Sequence, residues 1–219
     1  MSKPQHRKPP PRGPRPYKGK SLLAAVDDYV VIDIETTGLS PLFSEIIELG
    51  AVRVRKGGIV AEFATLVRPQ VVVSPFITEL TGITNAMVGT APAIQAALPD
   101  YLEFIGRELV IGHNVHFDIN FIYDQCVARL NCPFPNNFID TVRMSRRLYK
   151  HERGHRLADL ACRFGVADNG LRAHRALADV IKTHHCYEYM KTAALNDARL
   201  LEMLRDQKLF PVHAQLELF

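Results

Sequence analysis

The sequence predicts an α/β fold, a mixed sheet covered by helices, and three observations carry that expectation. Residues 29–34 (YVVIDI) form an unbroken β-branched run, the pattern of a central buried strand. Two more strand-like segments follow at 45–55 and 59–68, joined by the hairpin signal Lys56-Gly57-Gly58. Beyond them apolar strands alternate with helical stretches, and three strands followed by such alternation specify a sheet with helices packed on it.

The remaining elements follow in order. Helical stretches at 75–80 and 92–107 each carry a proline near the first turn, Pro75 and Pro92. A short apolar strand at 109–111 leads through Gly112 into a helix from about Val115 to Leu130. Phe138–Asp140 reads as a last edge strand, with Asp140 capping the helix that starts at Thr141. Helices over 141–150, 155–164, 173–192 and 195–207 complete the set, and Pro211 ends the last one. No internal repeat is visible.

Composition bounds the function classes. With 219 residues, 47% hydrophobic and 23% charged, the chain fits one globular domain plus tails. It lacks an apolar run of membrane-spanning length and a signal-peptide core, so a cytoplasmic location is expected. Cys126, Cys132, Cys162 and Cys186 show no ligand spacing and are expected as core thiols. The formal charge of +4 hides an asymmetry: residues 1–20 carry seven basic residues and no acid, leaving 20 basic against 23 acidic residues elsewhere, a net of −3. Six prolines share that segment, so residues 1–24 are expected as an extended, disordered tail. Such an arm fits contact with nucleic-acid phosphates and equally a solvated leader. The domain itself is expected at 25–209, with a flexible tail at 210–219.

The chemistry lies in the acids. Asp33 and Glu35 are two apart in a strand, so both project from one face, while Ile32 and Ile34 face the core. Paired carboxylates at the end of a buried strand repel each other, and a divalent cation removes that cost. An exposed edge strand would also tolerate the pair, but Tyr29–Ile32 is too apolar for that. Thr36-Thr37-Gly38 ends the strand and leaves backbone close to whatever a metal would bind. Asp118 falls on a stripe with Phe121, Ile122 and Cys126, so it should be buried and need a partner, unlike Asp124. Taken alone, Asp118 reads more readily as a cap or salt bridge; beside Asp33 and Glu35 it reads as a ligand.

His174 and Asp179 are five residues apart, and five steps of a helix rotate by roughly 140° net, which would not aim both at one point. His174 is therefore expected at or before the helix start, as a movable base, with Asp179 fixed inside the helix. His184 and His185 are expected at the surface, and His151 and His155 in a solvated loop. His113 and His116 fit either a cleft or a packing role.

These segments, V-V-I-D-I-E-T-T-G-L, I-G-H-N-V-H-F-D and H-R-A-L-A-D, resemble the three exonuclease motifs of the DEDDh (DnaQ-like) family, which includes the proofreading ε subunit of bacterial DNA polymerase III. The similarity runs from about Tyr29 to Met190. It implies a ribonuclease H-like fold, a five-stranded mixed sheet flanked by helices with the second strand antiparallel. It also implies 3′→5′ exonuclease activity releasing nucleoside 5′-monophosphates with two Mg²⁺ or Mn²⁺ ions. By carry-over Asp33, Glu35 and Asp179 would hold the ion beside the attacking water, and Asp33 with Asp118 the second. His174 would be the general base, histidine having a reference pKa near 6.5. Thr36, Thr37, Gly38 and Leu39 would meet the terminal nucleotide. The segment containing Phe76 and Thr81 looks like the loop beside it, and His113, Asn114 and Phe117 join the substrate contacts.

The ends suggest a setting. Gln215-Leu216-Glu217-Leu218-Phe219 resembles the peptide by which bacterial replication and repair proteins grip the sliding clamp, with Gln215, Leu216, Leu218 and Phe219 as the contacts. An apolar terminus folded back on the core is the plainer alternative. Arg143, Arg146, Arg147, Lys150, Arg153 and Arg156 form a phosphate-contacting surface or a solvated face. The expected partners are DNA 3′ ends, single-stranded or frayed, the clamp and a replicative polymerase. A 3′→5′ exoribonuclease of RNase T or oligoribonuclease type is the enzymatic alternative, and a catalytically silent clamp- or polymerase-binding module the non-enzymatic one.

Overall fold

The computed structural model describes residues 14–166 and 174–204. Six strands build one sheet: β1 (Ser21–Leu22), β2 (Tyr29–Thr36), β3 (Ile46–Arg55), β4 (Gly58–Leu66), β5 (Val110–Gly112) and β6 (Phe138–Asp140). Their order is β1-β6-β5-β2-β3-β4. β3 runs antiparallel to both neighbours and the other pairings are parallel. The helices are α1 (Pro75–Thr81), α2 (Asn85–Gly89), α3 (Ile94–Ile105), α4 (His116–Leu130), α5 (Thr141–Leu148), α6 (Leu157–Phe164), α7 (Ala176–Leu195) and α8 (Ala198–Leu204).

Alternation along β2 assigns its two faces. Val30, Ile32 and Ile34 pack into one core with Leu98 and Tyr101 of α3 and Ile119 and Ile122 of α4. Tyr29 and Val31 enter a second core with Val180, Tyr187 and Met190 of α7. Because both faces are covered, the strand is apolar along most of its length. The turn between β3 and β4 has two central residues, Lys56 at φ 51° and Gly57 at φ 75°. Positive φ at both is what a tight hairpin between right-twisted strands requires. Among the described residues no helix is long and apolar enough to cross a membrane.

The α/β, ribonuclease H-like class stands, with corrections in detail. The sheet has six strands where five were expected, because β1 adds to β6. Phe138–Asp140 is thus interior to the sheet, not its edge. Residues 14–24 do not behave as a tail: Arg15 makes two hydrogen bonds to Asp124, at 2.7 and 2.9 Å, Lys18 donates to Asn120 Oδ1 at 2.7 Å, and Tyr123 donates to the Pro16 carbonyl at 2.7 Å. Charge that looked like tail charge is spent on α4, so the folded unit starts by residue 14 and not at 25. The short α2, capped by Thr84 Oγ1 accepting from the Met87 N–H, was not foreseen. His184 is buried against the Tyr29 hydroxyl at 2.9 Å rather than exposed. His155 is half-buried and meets Ser145 Oγ at 3.0 Å. Of the cysteines only Cys126 and Cys186 are core thiols; Cys162 is exposed. Residues 1–13, 167–173 and 205–219, and with them most of the basic arm and the peptide Gln215–Phe219, lie outside the described residues.

Candidate active site

The site forms where β2 ends. Asp33 lies opposite Gly50 and Glu35 opposite Glu48 in the β2–β3 register, so these four positions share one face of the sheet. The first turn of α7 comes down on that face. It can do so because Gly50 has no side chain: a Cβ there would stand 2.7 Å from the Ala176 carbonyl carbon and 2.7 Å from its Cβ. From the other layer Tyr101 donates to the Gly50 carbonyl at 3.0 Å, fixing the strand from beneath. With α7 this close, Asp179 reaches the strand pair. Carboxylate oxygens of Asp33, Glu35 and Asp179 all lie within 4.8 Å of one another.

Asp118 arrives from the opposite layer. β5 pairs with β2 only at Val30 and Val31. Beyond them Asp118 Oδ1 accepts from the Ile34 backbone N–H at 3.0 Å. Asp118 is 4% exposed, on the same buried stripe as Phe121, Ile122 and Cys126. It stands beside Asp33 but not within the tight trio of oxygens.

Electrostatics make this arrangement costly without a cation. Burial raises the Asp33 carboxyl well above the usual range, and Asp118, Glu35 and Asp179 raise it further. Glu35 is pushed up to about 8, first by burial and then by Asp179 and Glu48, with Arg175 pulling the other way. Burial also raises Asp118, while its backbone N–H hydrogen bonds hold it down. The donor set is carboxylate oxygen alone, which suits a hard divalent cation rather than a soft one. Charge neutralisation there would relieve all three acids at once.

His174 is exposed and sits just outside α7, whose N-cap is Arg175. Its φ of 56° lies in the left-handed region, unusual for a non-glycine residue. Its backbone N–H donates to Asp179 Oδ2 at 3.2 Å. The position before the helix is the one the 140° argument required. Glu48 and Arg175 escaped the sequence reading, although each touches this segment. Their only signal was an acid inside the apolar run I-I-E-L-G-A-V.

The expected substrate contacts separate into two groups. Thr37 closes a loop with Glu45 through Thr37 N–H to Glu45 O and Glu45 N–H to Thr37 Oγ1, both at 2.9 Å, and Thr36 Oγ1 donates to Gly38 O at 2.7 Å. That closed loop displays Leu39, 87% exposed, and Phe76 on α1 is 70% exposed, so both apolar side chains are open to a base. Asn114 is exposed with φ 58°, its N–H bonded to Asp140. Thr81 is a correction: it is 1% exposed, donates to Ile77 O and accepts from Ile83 N–H, and so is committed to ending α1. His113 pairs with Thr141 Oγ1 at 2.9 Å and burial lowers its pKa to about 4, leaving it neutral. Phe117 is half-buried against Phe121.

Comparison with known proteins agrees with this geometry. A family model for exonucleases, RNase_T, matches residues 30–187. The chain is 41% identical over 155 residues to DNA polymerase III subunit epsilon of Aquifex aeolicus, covering 71% of this chain and 76% of that protein. It is 38% identical over 204 residues to DNA polymerase III PolC-type of Caldanaerobacter subterraneus, covering 89% of this chain but only 14% of that much longer relative. Among solved structures it resembles Exonuclease X in complex with 5′-overhanging duplex DNA, at 28% identity and a TM-score of 0.61, covering 80% of this chain and 98% of that one.

Proposed function

The chain belongs to the RNase_T exonuclease family and is a DnaQ-like nuclease, and from that premise we propose that it removes nucleotides from DNA 3′ ends in replication proofreading or repair. The observation that carries this reading is the trio of carboxylates, Asp33, Glu35 and Asp179, with oxygens within 4.8 Å at the end of a buried strand. These three would hold one divalent cation, Mg²⁺ or Mn²⁺, and Asp33 with Asp118 a second. Bound there, the pair supplies positive charge to the attacking and leaving oxygens of an in-line displacement at phosphorus.

The chain's own groups supply the rest. His174, exposed beside Asp179, takes the proton of the attacking water as general base. Thr36 and Thr37 shape the backbone on which the terminal nucleotide rests, and Leu39 and Phe76 offer apolar surface to its base. The product is a nucleoside 5′-monophosphate. DNA is favoured over RNA because the relatives are DNA polymerase III proteins and Exonuclease X was solved with duplex DNA. The same relatives support a cytoplasmic setting and a replicative polymerase as partner. The terminal peptide Gln215–Phe219 adds the sliding clamp.

The test is direct. Wild-type protein with Mg²⁺ or Mn²⁺ should shorten a 5′-labelled single strand one nucleotide at a time, faster on DNA than on matched RNA. Asp33→Ala and His174→Ala should each lose at least about 10²-fold, the usual contribution of a general base or more. Wild-type rate in either variant would sink the assignment, and faster cleavage of RNA would transfer the reading to an exoribonuclease.

A further inference from the structure

We propose that Glu48, through Arg175, is the positioning residue that sets His174 for proton transfer. The inference rests on the exonuclease reading of the site and deepens it. Glu48 is 3% exposed in the middle of the sheet, yet it is an acid pressed against a cluster of other acids. A carboxylate in that place needs either a metal or a cation of the protein itself. Its oxygens are already taken. Oε1 accepts from Arg175 Nε at 3.0 Å and Nη2 at 2.7 Å. Oε2 accepts from Arg175 Nε at 3.1 Å and from the Ala176 backbone N–H at 3.0 Å. Glu48 accordingly stands apart from the trio of metal-binding oxygens, though it is opposite Glu35 in the register.

What these bonds hold is the backbone on the C-terminal side of His174. Arg175 and Ala176 are the N-cap and first residue of α7. Asp179 lies inside that helix, whose Ala176, Ala178 and Val180 are buried against the sheet, so its position is secured by packing. His174 lies outside the helix, in a left-handed conformation, and its backbone N–H donates to Asp179 Oδ2. Its side chain is exposed, outside the packed face of α7. The Glu48 clamp on the next two residues fixes its direction. The planar guanidinium with two donors on one carboxylate also fixes rotation, which a point charge would not. Glu48 thus links the strand that carries Glu35 to the residue that must meet the water.

The division of labour makes a specific prediction. Glu48→Ala should lower kcat by about 10²-fold, the scale of a misplacement near 1 Å, with KM and Mn²⁺ binding by calorimetry changed less than about threefold. Glu48→Gln keeps an acceptor for Ala176 and should lose only about tenfold; it also carries the test if the alanine variant fails to fold. Arg175→Met leaves Glu48 without its cation, and adding Glu48→Gln to it should recover part of the lost kcat with KM and Mn²⁺ binding still near wild type. Unchanged kcat in Glu48→Ala overturns the inference, and so does loss of Mn²⁺ binding in step with kcat. Wild-type protein that binds Mn²⁺ but hydrolyses neither DNA nor RNA overturns the exonuclease reading itself, and this inference with it.

Discussion

Glu35 sits where its own charge is unwelcome. Burial, Asp179 and Glu48 push its pKa from about 4.5 up to about 8. An acid whose pKa rises on folding keeps a proton that the unfolded chain has lost, so stability falls as pH climbs from about 4.5 to about 8. In EDTA, the melting temperature should therefore drop across that window, by on the order of 2 kcal/mol or about 4–8 °C after allowance for solvent screening. Glu35→Gln should flatten the drop, and Mn²⁺ at the upper end should reverse it. A wild-type profile as flat as that of the variant would show that the cluster bears no such strain. The residues behind this behaviour were unequally legible. Asp33 and Glu35 could be read because side chains alternate along a strand, and Asp118 because it falls on an apolar helical stripe. Glu48 could not, since its meaning depends on Arg175, 127 positions away.

At the scale of elements, strands and long helices announced themselves through periodicity, and the segment before them did not. Residues 14–20 carry the composition of a solvated arm, yet they lie along α4. The Arg15–Asp124 pair is bidentate, with side chains 16% and 29% exposed. An exposed ion pair contributes roughly 0.2–1 kcal/mol, and this geometry belongs at or above the top of that range. Asp124→Ala should lower the melting temperature by about 2–4 °C. Arg15→Ala should add little in the double variant, because both remove one interaction; full additivity would mean the pair is not coupled. Composition reports the average fate of a basic, proline-rich stretch. Only the complementary acid on α4 distinguishes an arm from a strap. The five-residue α2 was missed for a different reason: one turn is too short to show a period.

For the whole molecule, the proposed catalytic site and the proposed clamp peptide occupy separate stretches of the chain. The exonuclease family match spans residues 30–187, and the clamp-like peptide lies past it. Immobilised clamp should retain wild-type protein and release a Leu218→Ala/Phe219→Ala variant, while hydrolysis of a short single strand stays within about twofold, since the anchors of such peptides dominate binding. Equal retention of both proteins would remove the clamp from the proposal. The order of the sheet matters here too. β3 is antiparallel between β2 and β4, and this places Gly50 and Glu48 beside Asp33 and Glu35 of β2, where α7 can reach them.

The strap of residues 14–22 also has a history in time. Its strand β1 is made well before its partner β6: the Lys20 N–H binds Asn137 Oδ1 across 117 residues of chain. Until α4 and β6 exist, it has nothing to pair with. Closing so long a loop is only modestly harder than closing a shorter one, about 0.6 kcal/mol for each doubling, but non-local pairings come late in folding. The other five strands can assemble first, with residues 14–22 settling over α4 and β6 at the end. A segment made before its partner is then placed after it, and the sheet gains its sixth strand as a closing step.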